Sequence, residues 1–283
     1  VNDATAYALK SRALLYRASA LNNPEGKTDW WQEAAQAAKD FIAKNNQQAH
    51  PYKLFTTEDN DPNKNYYQCF VSTPHLNNEY ILSRSEWNTR EIELFLAPCG
   101  FSGNVNSTGR TNPTQNLVDA YEMKNGKPID DAASGYDEQN PYANRDPRLS
   151  AYVVLNGGKV GVNNTAINTN ADAKDSKDNT KLNKDGINHF SGSSTRTGYY
   201  LRKLLRQDVN LEPTATSKQM HYTPRIRFTE IFLNYAEAAN EAWGPTGNGG
   251  HGYSAYDIIV ALHNRAGVGN DYLESIKTDK DKM

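Results

Sequence analysis

The side chains best equipped for chemistry are six histidines (His50, His75, His189, His221, His251 and His263) and 33 acids, so hydrolysis and metal binding come first. The histidines show no HExxH or comparable ligand spacing, and each reads as a surface or internally satisfied residue. The run EDNDPNKN sets Asp59, Asp61, Asn63 and Asn65 at alternate positions, as a calcium loop would. Such a loop needs glycine sixth and a bidentate glutamate twelfth, where this chain has Lys64 and Phe70, so a turn-rich loop is expected and no metal. GFSGN at Gly100 lacks the last glycine of a nucleophile elbow, and neither a Walker loop nor a dinucleotide fingerprint occurs. Glycoside hydrolysis needs two carboxyl groups facing each other across a cleft, which spacing along a chain does not define.

The aromatic residues are more informative. Tyr66, Tyr67, Trp87, Phe95, Phe101, Tyr136 and Tyr142 lie among Asn, Arg and Gly, outside any long helical stripe. One reading is that each plugs a gap beneath an irregular loop. The other is a sugar platform, in which an exposed ring stacks on the apolar face of a pyranose while neighbouring amides and guanidinium groups bond the hydroxyls. Trp87 leads this second reading, followed by Asn88 and Arg90, with Tyr66, Tyr67 and Phe101 as further candidates. Trp30, Trp31 and Trp243 read as packing residues at helix ends.

The chain that must position these groups has 283 residues, 37% of them hydrophobic, with 17 Tyr and 4 Trp. Its mean hydropathy is −0.81. That much aromatic mass argues against disorder. A net charge of −2 provides no basic field for nucleic acid, and no apolar run is long enough to span a membrane as a helix. Cys69 and Cys99 do not define a disulfide framework, and whether they pair stays open. No signal peptide is seen, and Val1 opens almost directly on a helical pattern, which reads as a mature or excised fragment.

The pattern predicts a helix from Asp3, as cap, to Leu21, with Ala6, Leu9, Ala13, Tyr16 and Ala20 as its apolar stripe. A second helix, WWQEAAQAAKDFIAKN, is capped by Asp29. Small alanines opposite aromatics let such helices approach closely, as in tetratricopeptide-like hairpins. A second hairpin is expected from RIRFTEIFLNYAEAANEAWGP, starting at Arg225, and YSAYDIIVALHNRAGV. In its first helix Glu230, Asn234, Glu237 and Glu241 form one wet edge, with Ile226, Leu233 and the other apolar residues buried. Between the hairpins lie short mixed runs, a short helix near Asn112 or Thr114 with Pro113 in its first turn, and strands in LSAYVVLNG and GYYLRKLL. A charged excursion from Ala171 to Gly186 reads as a solvated loop.

These segments resemble the SusD/RagB family of outer-membrane glycan-binding lipoproteins. The resemblance is carried by LKSRALLYRASALNNP with DWWQEAAQAAKDFIA, by PTQNLVDAYEMKNGKPI, NRDPRLSAYVVLNG and TGYYLRKLL, and by the second hairpin, all in the family's order. It implies a mainly α fold of tetratricopeptide-like hairpins with a loop-rich insertion containing short strands. It also implies a cell-surface protein of Bacteroidetes that binds oligosaccharide without catalysis. Such a protein passes its ligand to a TonB-dependent (SusC-like) transporter, uses no cofactor, and is held at the outer membrane by an N-terminal lipid anchor absent from this chain. The expected organisation is one domain: hairpin 1–48, ligand-binding insertion 49–224, hairpin 225–268 and a tail 269–283. A glycoside hydrolase on a helical scaffold and a helical-repeat adaptor for another protein are the alternatives.

Overall fold

The computed structural model describes residues 2–84, 87–100, 107–190, 192–212 and 214–283. It opens with helix α1 (Asp3–Ala18), whose cap is Asn2, its side chain accepting the Thr5 N–H, so Asp3 is the first helical residue and not the cap. Helix α2 (Thr28–Asn45) starts before Asp29, which places Trp30 and Trp31 inside its first turn. Both lie partly buried against the main core.

Helix α1 turns a different face inward from the one its apolar spacing predicts. Thr5, Ala8, Ser11, Leu15 and Ala18 are buried, while Leu9 is 45% and Tyr16 62% exposed. Polar partners on the facing helix explain the choice. Ser11 Oγ accepts from Asn234 at 3.2 Å, and Arg12 pairs through two nitrogens with Glu230 at 2.6 and 2.8 Å. Rotating the apolar stripe inward would bury Asn234 without that partner, a desolvation cost of about 1–3 kcal/mol.

The insertion begins with helix α3 (Pro62–Val71), where short mixed runs were expected. Asp61 caps it by accepting the Asn63 N–H at 2.9 Å, and Pro62 takes the first-turn position that needs no donor. The alternating acids and amides of EDNDPNKN are therefore capping and turn groups. Asp59 accepts from Thr57 and Lys64, and buried Asn65 bonds Asn60 and Thr57. A 3₁₀ turn (Pro74–Leu76), strands β1 (Tyr80–Ser83) and β2 (Trp87–Thr89) and helix α4 (Glu91–Leu96) follow.

Helix α5 (Gln115–Asp119) is capped by Thr114, which leaves Pro113 outside its first turn. In LSAYVVLNG the expected strand is half helix: α6 (Pro147–Tyr152) precedes β3 (Val153–Val154) because Asp146 caps Arg148 and Pro147 sits at the first turn. Strands β4 (Lys159–Val160), β5 (Thr165–Ala166), β6 (Tyr200–Leu201), β7 (Gln219–His221) and β8 (Pro224–Arg227) complete antiparallel pairs β1–β8, β2–β7, β3–β6 and β4–β5. The charged excursion is pinned rather than freely solvated. Lys174 bridges Leu182, Ala173 is buried, and Asp185 is buried and accepts the Gly100 N–H at 2.7 Å.

The second hairpin is α7 (Phe228–Trp243) with α8 (Ala255–Ala266), followed by a short α9 (Asp271–Ile276). Arg225 and Ile226 belong to strand β8, so the helix starts three residues later than predicted and Ile226 is core through the sheet. On α7 the expected wet edge is broken: Asn234 is buried, and Leu233, expected inside, is exposed. A capping box between Ser254 and Asp257 starts α8, and Gly267, at φ +68°, ends it.

One apolar cluster joins the two ends of the chain. Ala34, Ala35, Ala38 and Phe41 of α2 meet Ile231, Tyr235, Ala238 and Ala239 of α7, with Ile258 and Leu262 of α8 and Leu15 of α1. The alanines allow the helix axes to approach closely. A separate cluster built on Val154, Val160, Ile167, Tyr200, Val209 and Leu211 supports the insertion. The fold is mainly helical, with loops and paired short strands displayed from the stacked hairpins.

Candidate functional site

Strand β2 carries the leading sequence candidates. It pairs with β7 so that Trp87 lies opposite His221, Asn88 opposite Met220 and Thr89 opposite Gln219. Alternation along a strand sends Trp87 and Thr89 to one face and Asn88 to the other. The Trp87 ring is 38% exposed, and the Arg84 guanidinium lies 5.4 Å from its centroid. Asn88 is exposed, and its side chain makes no hydrogen bond among the described residues. Arg90 is half-buried and donates through Nη1 to the Ala215 carbonyl, which ties the strand to the segment before β7.

Packed against the ribbon is a buried polar group that sequence reasoning did not find. Glu93 Oε1 accepts from His221 Nε2 at 2.8 Å and from the Arg206 N–H at 3.0 Å. The other imidazole nitrogen faces Gln219 O at 2.8 Å, so both ring nitrogens have an oxygen partner. Arg206 adds bonds to Val71 O at 2.5 Å and Met220 O at 3.3 Å. These contacts hold β7, and through its pairing β2, against α4. Glu93 and His221 lie 128 residues apart, and no local pattern links them.

The remaining candidates lie elsewhere. Tyr66 is only 7% exposed and packs with Ala151, Ala266 and Val268. Its ring meets Tyr152 edge-on at 5.9 Å and is covered by Arg265 at 4.6 Å, so it offers no free face. The expected loop position fails for Tyr66 because Pro62–Val71 form helix α3, which turns this ring into the core. Tyr67 is half-buried and its hydroxyl accepts the Gln207 N–H at 2.8 Å. Phe101 lies outside the described residues. The structure therefore joins Trp87, Asn88 and Arg90 on one ribbon and places Tyr66 in the scaffold.

Two sizeable depressions open on the insertion. One of about 810 Å³ runs beside Gly100, between the β4–β5 hairpin and residues 174–185. Its wall includes Asp185, whose carboxyl is pushed up to about 6 by burial, together with Asp175 and Glu212. Glu212 accepts from Asn163 at 3.0 Å. The other depression, of about 620 Å³, lies between residues 139–143 and 197–199. Among the described residues no group of three His, Cys, Asp or Glu side chains is arranged to hold a metal ion. No helix among them is long and apolar enough to cross a membrane.

The architecture is shared with known structures. A SusD-like protein from Bacteroides fragilis NCTC 9343 superposes with a TM-score of 0.69 at 19% identity, over all of this chain and 51% of its own. A SusD-like carbohydrate binding protein from the same strain gives 0.63 at 21% identity, over 99% of this chain and 48% of its own. A SusD superfamily protein from Parabacteroides distasonis ATCC 8503 gives 0.53 at 18% identity, over 95% and 45%. The chain thus spans about half the length of these relatives. No curated protein sequence matches it. The SusD family profile matches residues 78–283, from the strand that leads into the Trp87 ribbon through the second hairpin. With that match over most of its length and the hairpin scaffold in common, the chain belongs to the SusD family.

Proposed function

We propose that the protein captures oligosaccharide at the bacterial cell surface without cleaving it and delivers it to a TonB-dependent outer-membrane transporter. The observation that carries this reading is the exposed Trp87 ring, held on a ribbon that the buried Glu93–His221 pair fixes to α4. An exposed ring with the Arg84 guanidinium 5.4 Å from its centroid sets an apolar surface beside a polar group, as sugar stacking requires. Delivery, surface location and a lipid anchor are supported by membership of the family.

Calorimetry on the full-length protein tests the capture step, using the best-binding oligosaccharide from a glycan array. Dissociation constants of about 1 μM to 1 mM are expected, and Trp87→Ala should abolish measurable binding with its melting temperature unchanged. Trp30→Ala is the structural control, because that ring packs on the core beneath Arg17 at 4.2 Å and should destabilise the fold. Normal binding by Trp87→Ala would remove the platform from the reading.

A second reading, glycoside hydrolysis, is favoured by one observation: buried Asp185, its carboxyl raised to about 6, shares a cavity wall with Asp175 and Glu212. A raised acid with a second carboxylate nearby is the equipment of a glycosidase. New reducing ends from a bound polysaccharide that disappear with Asp185→Asn would establish hydrolysis. Their absence from the wild type leaves capture alone.

A further inference from the structure

The 620 Å³ depression differs in chemistry from the 810 Å³ one, whose wall carries Lys174, Asp175, Asp185 and Glu212. Its lining contains no Asp, Glu, Lys, Arg or His. Charged residues make up 23% of the chain, so a lining of this size would ordinarily carry several. Amides and tyrosines take their place, with Gln139, Asn140, Asn156 and Asn170 around Tyr142 and Tyr199.

These amides are half engaged. Asn156 accepts the Thr169 N–H at 2.9 Å and donates to Asn170 Oδ1 at 3.2 Å, which fixes both side chains. Asn140 Nδ2 donates to Asp137 at 2.7 Å. Asn170 Nδ2, Asn140 Oδ1 and the whole Gln139 amide have no partner among the described residues, so donors and acceptors stand open, and on Asn140 and Asn170 they stand on side chains already held by one bond. Tyr142 donates to the Tyr199 hydroxyl at 3.3 Å, and Tyr199 donates to Gln115 at 2.8 Å, which holds the two rings edge to face. Gly198, at φ +86°, completes the floor. A Cβ there would stand 3.3 Å from Ile187 Cδ1.

We propose that this basin is a second sugar subsite, separate from the Trp87 ribbon, and that it takes an uncharged pyranose. The proposal rests on the glycan-capture reading above. Hydroxyl groups both donate and accept, and amides match both functions without a charge to desolvate. A uronate or sulfated sugar would leave its anionic group facing a wall with no cation to pair it. Trp87, Asn88 and Arg90 contribute nothing to the basin's lining.

The test uses the full-length protein on an array of neutral and acidic glycans, followed by calorimetry with the best neutral binder. Gln139 and Asn170 are exposed, so their alanine variants should keep the wild-type melting temperature. Each should weaken binding about tenfold and the double variant about a hundredfold, one net hydrogen bond at a time. Wild-type affinity in the double variant would overturn the subsite and leave the Trp87 reading standing. An array on which only acidic glycans bind would overturn its specificity for uncharged sugar. Binding to no glycan at all would overturn both readings.

Discussion

Arg265 Nη2 donates to Glu79 Oε2 at 2.8 Å, joining α8 to the segment leading into β1 across 186 residues of sequence. Arg227 and Thr229 donate to the other carboxylate oxygen, both at 2.5 Å, and the Phe55 N–H donates to Oε2 at 2.8 Å. Glu79 is fully buried, so this group fastens the insertion to the second hairpin. Burial alone would raise the Glu79 carboxyl, but Arg265 and Arg227 more than offset it and hold it below the usual carboxylate range.

A folded pKa below the unfolded one contributes stability that is complete above the ordinary carboxylate pKa and lost as pH falls through the lowered value. The melting temperature should therefore fall on acidification below about pH 4. Glu79→Gln should cost about 3–5 kcal/mol at neutral pH, because two guanidinium groups lose their buried partner. It should also flatten the acid limb of the melting profile. An unchanged acid limb in the variant would separate acid unfolding from this group.

Glu122 and His263 meet at 3.5 Å, yet burial opposes charge on both. The Glu122 carboxyl is pushed up to about 7, chiefly by desolvation, and the same cause lowers His263. A proton held by folded Glu122 but released by the unfolded chain makes stability fall as pH rises from about 4.5 to 7. Glu122→Gln removes that penalty. The variant should be more stable than wild type above pH 7, by on the order of 2 kcal/mol, with the gain shrinking as pH falls from 7 and gone by about pH 4.5. Denaturant melts at pH 4.5 and 8 measure the difference directly.

Ala239 is fully buried between α2 and α7, where a larger side chain has no room. Ala239→Leu should cost about 1–3 kcal/mol and lower the melting temperature by several degrees. Glu237→Gln should hold or slightly raise it, since the exposed Glu237 carboxyl is shifted up by desolvation and by Glu241. Equal melting curves for the two variants would mean that the α2–α7 contact can relax around an extra side chain.

Cys69 and Cys99 are unpaired and buried, and desolvation pushes each thiol up to about 11. A thiolate is the reactive form, so neither should react with a disulfide reagent in the native protein at pH 8. Both should react after unfolding in guanidinium. Native-state labelling at either position would show that local opening exposes it.

The two hairpins were legible because their signal is local: alanine-rich apolar spacing at intervals of three or four residues. Trp87, an aromatic that no helical stripe claims, is left exposed by the structure. The inward face of α1 was not legible, because Ser11 and Arg12 are drawn to Asn234 and Glu230 more than 200 residues away. Strand β8 was read as helix because its period is too short to distinguish, and only pairing with β1 makes Ile226 a strand residue. Likewise, the Glu93–His221 pair and the uncharged basin arise where distant segments converge. Periodicity, caps and turns operate over a few residues, and from these the chain determined its helices and their hairpin pairing. Burial, side-chain partnership and the shape of a binding surface depend on what comes to face each residue, and that was decided only when the insertion folded back onto the scaffold.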